Sequence, residues 1–138
     1  MSADIGALLF GFQGRINRAK YWLATAIYTV IVAALIGAGF LFHFGGLFLA
    51  VFVIACVVLF ISGIAIGIKR LHDRDKRGWW LLVFYLVPGV FDGMDRVLGP
   101  NLLFNLVSIA ISVWMIVELG FLRGTSGPNQ YGPDPLAV

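Results

Sequence analysis

The stretch from Leu47 to Ile68 is 22 residues long and contains no charged side chain. As an α-helix it would be roughly 33 Å long, enough to cross the hydrocarbon core of a bilayer, which is about 30 Å thick. A second apolar run, residues 21–42, precedes it. Hydrophobic residues make up 60% of the chain and charged residues 12%, which is unlike a soluble domain. The sequence therefore predicts an all-α integral membrane protein, with residues 1–138 forming one membrane domain.

Two further apolar runs follow, at about 79–97 and 102–122. The apolar part of the first covers only roughly 20 Å and contains Pro88 and Gly89, so we expect a short span that is broken at this pair. We predict a four-span helical bundle with spans at about 21–42, 47–68, 79–97 and 102–122. The alternative is a three-span arrangement in which the third run turns back without crossing.

The charges indicate how these spans are oriented. The densest charge in the chain, residues 69–77, predicts a polar loop between the second and third spans. Nine of the ten Lys and Arg residues fall on one side of a four-span arrangement, and only Arg96 falls on the other. The positive-inside rule predicts that this side, with both termini, is cytoplasmic. A three-span arrangement would move only Arg123. The aromatic residues expected at the interfaces are Tyr21, Trp22, Trp79 and Trp80.

Short segments precede and follow the spans. Ile5, Leu8, Leu9 and Phe12 have the spacing of an amphipathic helix, too short to span, which we expect to lie in the membrane interface. The C-terminal segment, residues 123–138, is rich in Gly and Pro, and this predicts an irregular cytoplasmic tail. We expect this tail to fold back on the cytoplasmic face, because disordered tails usually carry more charge.

Three sequence motifs occur at the predicted cytoplasmic ends of the spans. They are Gly14-Arg15-Ile16-Asn17-Arg18-x-x-Tyr21-Trp22, then Arg70-Leu71-His72-Asp73 followed by Gly78-Trp79-Trp80, then Gly127-x-Asn129-x-Tyr131-Gly132-Pro133-Asp134-Pro135. In this order, and over nearly the whole chain, they resemble the domain-of-unknown-function 805 family of small bacterial inner-membrane proteins. The resemblance implies a location in the bacterial inner membrane. It implies no activity, because none is assigned to that family.

We expect side chains from all three motifs to meet at one membrane surface, where arginine can bind a carboxylate and several carbonyls at once. In the alternative, each cation extends separately to lipid phosphate and the tail is mobile. We call the expected group the polar cluster; it comprises Arg15, Arg18, Arg70, His72, Asp73, Asn129, Tyr131 and Asp134.

Two other features could carry chemistry. Glu118 is an ionisable residue inside the predicted fourth span and indicates either a proton relay or, as we favour, an ion pair with Lys69 or Arg70. His72 and Asp73 suggest a metal site, but a catalytic metal needs about three protein ligands, which one histidine with scattered carboxylates does not supply. We therefore predict no metal, no cofactor and no catalytic residue.

The sequence leaves several functions open. We favour a non-enzymatic accessory or binding protein whose basic and aromatic cytoplasmic face meets anionic lipid headgroups or a partner protein. The basic residues lie beside spans, so we expect no nucleic acid. One alternative is a small oligomeric transporter or channel with Glu118 and the Pro88-Gly89 pair lining its path; another is a membrane enzyme centred on His72 and Asp73. The spacing Gly63-x-x-x-Gly67 predicts close helix packing or self-association, and the protein could form a homo-oligomer or join a larger membrane complex.

Overall fold

The computed structural model describes residues 5–43 and 45–137. The helices are α1 (Ile5–Phe10), α2 (Arg18–Leu41), α3 (Gly46–Asp73), α4 (Trp80–Leu98) and α5 (Leu102–Ile116), and α5 continues into a π-helical turn, Val117–Phe121. Three helices are long and apolar enough to cross a membrane: α2, α3 and the continuous helix from Leu102 to Phe121. The prediction of an all-α protein with several membrane-spanning helices is confirmed.

Polar caps explain where two of the long helices begin. The side chain of Asn17 accepts a hydrogen bond of 2.9 Å from the backbone N–H of Lys20, so α2 starts at the next residue, Arg18. Asn101 caps α5 through the N–H of Leu103 in the same way. Asp95 accepts from the backbone of Asn101, which holds the turn between α4 and α5 closed.

The third helix is longer than the sequence predicted. We expected its span to end at residue 68, with a polar loop after it, but the helix continues through Lys69, Arg70 and Asp73. The polar loop is therefore confined to residues 74–79. The physical reason is that these three charged side chains are buried inside the protein, where Arg70 and Asp73 form an ion pair and Lys69 donates to backbone carbonyls, so the helix need not end where charge begins.

Helix α4 corresponds to the predicted third span, and it is not broken as we expected. It continues through Pro88 and Gly89 without interruption over 19 residues, or roughly 28 Å. Proline removes one helical hydrogen bond, but a membrane helix tolerates this where neighbouring helices cover the site, and Pro88 is buried. The far end of α4 carries Asp92, Asp95 and Arg96, which sets it apart from the three most apolar helices.

The bundle consists of two helical hairpins. In one, α2 packs against α3; in the other, α4 packs against α5. They meet at the charged end, where Leu71, Leu81, Phe84 and Leu119 form a buried cluster and the π-helical turn packs on both α2 and α3. Most large apolar side chains elsewhere on the spans are exposed, as lipid-facing residues are. The two hairpins are therefore packed against each other chiefly at the charged end.

The pair of small residues in α3 behaves only partly as expected. A Cβ atom at Gly67 would lie 3.0 Å from Leu81 Cδ1, so this glycine does allow α3 and α4 to approach closely. A Cβ atom at Gly63 would meet nothing within 4 Å. The expectation that Gly63 forms a helix contact within the bundle is wrong, because α2 and α4 do not pack against each other and leave a cleft above this residue. Self-association through Gly63 stays a prediction.

Candidate functional site

The C-terminal end of the last helix is held by side chains from α2 and α3. Arg70 Nε donates to the carbonyl of Leu119 at 2.7 Å, and its Nη2 donates to the carbonyl of Leu122. Trp22 Nε1 donates to the carbonyl of Gly120 at 2.9 Å. The last carbonyls of a helix have no partner within it, so in a dry environment they must be satisfied from outside. The Tyr-Trp and Arg-Leu-His-Asp motifs supply these donors.

Asp73 lies between two arginines. Its Oδ1 accepts from Arg15 Nη2 at 3.0 Å, and its Oδ2 accepts from Arg70 Nη1. The three side chains are at most 4% exposed, so the two guanidinium groups and the carboxylate form a buried ionic triad. Such a group is stable only while every charge keeps its partner.

Arg15 connects this triad to the C-terminal tail. Its Nη1 donates to the carbonyls of Gly127 at 2.8 Å and Gly132 at 3.2 Å, and its Nη2 donates to the carbonyl of Thr125 at 2.7 Å. With the bonds from Nε and Nη2 to Asp73, all five N–H donors of the guanidinium are used. A lysine could not replace this planar arrangement.

The tail is further fixed to the end of α3. Asn129 donates to the backbone carbonyl of His72 at 2.9 Å. The rings of His72 and Tyr131 are stacked, with centroids 3.8 Å apart and planes 3° from parallel. The Nδ1–H of His72 donates to the carbonyl of Gly14, which connects the same side chain to the segment before α2.

Asp134 closes a turn within the tail. Its carboxylate accepts from the backbone N–H groups of Leu136 and Gly127, each at 2.9 Å. These two hydrogen bonds, the one from Leu136 first, lower the pKa of Asp134 below its ordinary value. Asp134 thus acts on the tail itself and positions the Gly127 carbonyl, to which Arg15 binds.

The family to which the chain belongs follows from its sequence as a whole. The family model described as "Protein of unknown function (DUF805)" matches residues 9–133, which is nearly the entire chain and includes the first two motifs and the third as far as Pro133. The chain belongs to the DUF805 family. The resemblance carried by the three motifs is thereby confirmed.

Three relatives from Escherichia coli (strain K12) are similar to this DUF805 chain over 91% of its length. The inner membrane protein YhaI is 35% identical, with 86% of its own length covered. The inner membrane protein YhaH and the uncharacterized protein YiiR are each 30% identical, with 87% and 86% covered. No solved structure matches the chain. Together with the three membrane-capable helices, these similarities identify a multi-pass membrane protein.

The structure brings seven of the eight polar-cluster residues of this DUF805 protein into one hydrogen-bonded network. Arg18 is the exception: it is exposed, and its guanidinium donates a single long bond of 3.4 Å to the carbonyl of Phe121. In the described part of the chain, Asp73 pairs with Arg15 and Arg70, and Arg18 makes no ion pair. Arg18 instead lines a polar cavity of about 450 Å³ at the edge of the network.

Glu118 is paired, but with different cations from those we expected. Its Oε1 lies 3.0 Å from Arg74 Nε and 3.0 Å from Lys76 Nζ, both in or near the loop after α3. The expected pairing with Lys69 or Arg70 is wrong. Arg70 points to the end of the last helix, and Lys69 Nζ donates to the carbonyls of Ala7 and Leu8 in α1.

The sequence did not point to several residues that hold this site together. Lys69 binds the end of α1, and Ser62 donates to the carbonyl of Leu9 at 2.7 Å. The backbone N–H of Thr125 donates to the carbonyl of Asp73 at 2.8 Å, and a Cβ at Gly124 would overlap the Asp73 carboxylate. Gly124 is the first of a series of turn-forming residues, which is the only signal the sequence offers for this contact.

The aromatic residues expected at the interface lie at the charged end. Tyr21 packs on the buried cluster, and Trp22 is 42% exposed beside the π-helical turn. Trp79 and Trp80 stack with centroids 4.8 Å apart, and Lys76 Nζ lies 5.6 Å from the Trp80 ring centroid. Over residues 5–43 and 45–137, no three His, Cys, Asp or Glu side chains are grouped as ligands of one metal ion.

Proposed function

We propose that this DUF805 protein spans the bacterial inner membrane four times, with both termini in the cytoplasm. Arg15 precedes α2 and binds both Asp73, at the end of α3, and the tail that follows α5. The α4–α5 hairpin must therefore leave and return to the same end of the bundle. With a length of roughly 28 Å, α4 is long enough for a short span, which supports four crossings over three. The names of YhaI and YhaH support the inner membrane.

Within this arrangement, the protein is a non-enzymatic accessory protein that binds anionic lipid headgroups at its cytoplasmic face. One observation carries the proposal. Among the described residues, four exposed cations at the charged end make no ion pair, whereas Arg15, Arg70, Arg74 and Lys76 are paired with carboxylates and the buried Lys69 is bonded to backbone carbonyls. We call these four the basic rim: Arg18, Lys20, Arg77 and Arg123. Each is exposed, and each such cation contributes roughly 1 kcal/mol near an anionic leaflet.

The alternative of an enzyme centred on His72 and Asp73 has less support. The Asp73 carboxylate is bound by two arginines, and the His72 ring is stacked on Tyr131 and bound to Gly14. Each group is engaged in holding the tail and helix ends together. A general base or a metal ligand needs a free lone pair facing a substrate site. Their surroundings fit a structural role.

Lipid identification after purification in a mild detergent tests the proposed function. We expect the wild type to retain anionic lipids in a higher proportion than the membrane from which it is extracted. A variant with all four basic-rim residues changed to glutamine should retain the bulk proportion, because it loses roughly 4 kcal/mol of electrostatic attraction. Its melting temperature should stay near that of the wild type, since these side chains make no ion pair.

The matched control is Arg96→Gln, which removes a cation at the opposite end of α4 and should leave the lipid proportion unchanged. A wild-type protein with lipids in the bulk proportion would contradict the proposal. Retention of a metal ion would favour the enzyme instead, and a stoichiometric partner protein without lipid enrichment would assign the rim to that partner.

A further inference from the structure

A cleft opens between α2 and α4, with α3 as its floor. Its volume is about 520 Å³. Along α2 it extends from Tyr21 to Ile36, which corresponds to roughly 22 Å. Gly63 and Gly67 form the floor, Tyr85 lines the side formed by α4, and Leu119 lies at the charged end. The cleft exists because the two hairpins meet at the π-helical turn and diverge beyond it.

The cleft lies along membrane-spanning segments and offers an apolar surface. Its threonines satisfy their hydroxyl groups within α2: Thr25 donates to the carbonyl of Tyr21 and Thr29 to that of Thr25, each at 2.9 Å. The hydroxyl of Tyr28 is bonded to Ser62 at 2.5 Å. The bonded hydroxyls of Thr25, Thr29 and Tyr28 need nothing from an occupant, so this part of the cleft suits a group without donors or acceptors.

The dimensions distinguish between two apolar occupants. A volume of about 520 Å³ over roughly 22 Å gives a mean width of about 5 Å. Carbon atoms in contact are about 3.5–4.0 Å apart, so a single hydrocarbon chain fits this width. An α-helix with its side chains is about 10–12 Å wide, so a span of a second copy could lie across the mouth of the cleft but could not fill it.

The charged residues at the mouth of the cleft indicate which chemical group the occupant carries at the end of its hydrocarbon chain. Arg18 precedes Tyr21 by three residues and Thr25 by seven, so it lies on the same face of α2, one turn beyond the cleft. It also lines the polar cavity of about 450 Å³ together with Arg123, Asn17 and Ser126. Two carboxylates border this cavity, but Asp73 is paired with arginines and Asp134 with backbone N–H groups.

We infer that the cleft holds one acyl chain of an anionic phospholipid whose phosphate is bound by Arg18. The assignment of the headgroup rests on the proposed binding of anionic lipids at the basic rim; the assignment of the chain rests on the cleft alone. The lipid would fill the space between the two hairpins and connect them where side chains do not meet.

Native mass spectrometry of the purified full-length protein tests this, with phosphatidylglycerol or phosphatidylcholine added in a neutral detergent. We expect the wild type to retain one phosphatidylglycerol molecule and less phosphatidylcholine. Gly63→Leu should lower retention of both lipids about tenfold or more, because a leucine here extends into the cleft and removes roughly 1.4 kcal/mol or more of apolar contact. Its Cβ meets no other atom, so the variant should fold.

Two matched controls accompany that variant. Gly37→Leu makes the same change on an exposed face of α2, where a Cβ also meets nothing and which the cleft does not include; it should retain lipid as the wild type does. Arg18→Gln should reduce the preference for phosphatidylglycerol, whereas Arg96→Gln, at the opposite end of α4 and outside the basic rim, should preserve it.

Wild-type retention of lipid by Gly63→Leu would overturn the assignment of the chain, even if the basic rim still enriches anionic lipid. A wild-type dimer that becomes monomeric in Gly63→Leu would also overturn it and would assign the cleft to a second copy. If the wild type retains both lipids equally and Gly63→Leu loses both, the result would support the acyl chain in the cleft. It would overturn both the headgroup assignment and the proposed function.

Discussion

The substitution Asp73→Asn is expected to destabilise the protein by about 3–5 kcal/mol, the usual effect of removing one member of a buried ion pair. The carboxylate is 4% exposed and is shared by Arg15 and Arg70, so its neutralisation leaves two buried guanidinium groups without a counter-charge. An asparagine of nearly the same size creates no cavity. The lost stability therefore measures the contribution of charge and hydrogen bonding rather than that of packing.

Thermal unfolding in detergent measures this effect, and Asp75→Asn is the matched control. Asp75 lies two residues away, is exposed, and accepts one side-chain hydrogen bond, from Gln130. Its backbone has a φ of 56°, which asparagine tolerates well, so this change should alter the free energy of unfolding by no more than about 0.5 kcal/mol. Equal melting temperatures for the two variants would show that Asp73 is not part of a buried triad.

Exchanging the charges of Arg15 and Asp73 should not restore stability. Rescue by a swap requires an isolated pair, but an arginine at position 73 would face Arg70 one turn away on α3. The triad therefore differs from a surface ion pair, for which a swap is nearly neutral.

The second large effect is expected from Gly124→Ala, which should release the tail. A Cβ at this position would overlap the carboxylate of Asp73, and that carboxylate cannot move without losing both arginines. The tail must shift instead, which breaks the backbone bond from Thr125 to Asp73 and the bonds from Arg15 to the tail carbonyls. Overpacking of this kind costs about 1–3 kcal/mol.

Limited digestion with trypsin detects release of the tail, because the protease cuts after Arg123 and frees the segment that follows. We expect the rate of this cleavage to rise about tenfold or more in Gly124→Ala, since cleavage follows the population of the open form. Gly37→Ala is the control, because its Cβ meets nothing within 4 Å. A cleavage rate like that of the wild type would mean that the tail does not dock against Asp73.

The sequence predicted the helical membrane fold well because long apolar runs permit little else in a bilayer. The sequence predicted less well the helix ends and breaks that depend on tertiary contacts. Charge at Lys69 to Asp73 suggested a loop, but partners inside the protein extend α3 by more than a turn. Pro88 suggested a break, but a single missing hydrogen bond does not end a covered helix.

The sequence predicted which types of residue form the candidate site, but it did not predict which of them bind each other. Arginines and an aspartate at converging helix ends indicate a polar cluster, and Arg15 does bind Asp73. The particular partners depend on the π-helical turn, which places the carbonyls of Leu119 and Leu122 opposite Arg70. Nothing in the sequence signals that turn, so Glu118 was assigned to the wrong cations and Arg18 to the wrong neighbours.

The arrangement of the chain in the membrane is tested most directly by reporters that are active only in the cytoplasm. A reporter fused after the last residue, Val138, should be active, as should one inserted in the loop after α3 at Arg77. Reporters at Gly45 and Gly99, between the helices of each hairpin, should be inactive. A C-terminal fusion active only with an external reporter would contradict four crossings and would separate the tail from Arg15 and Asp73.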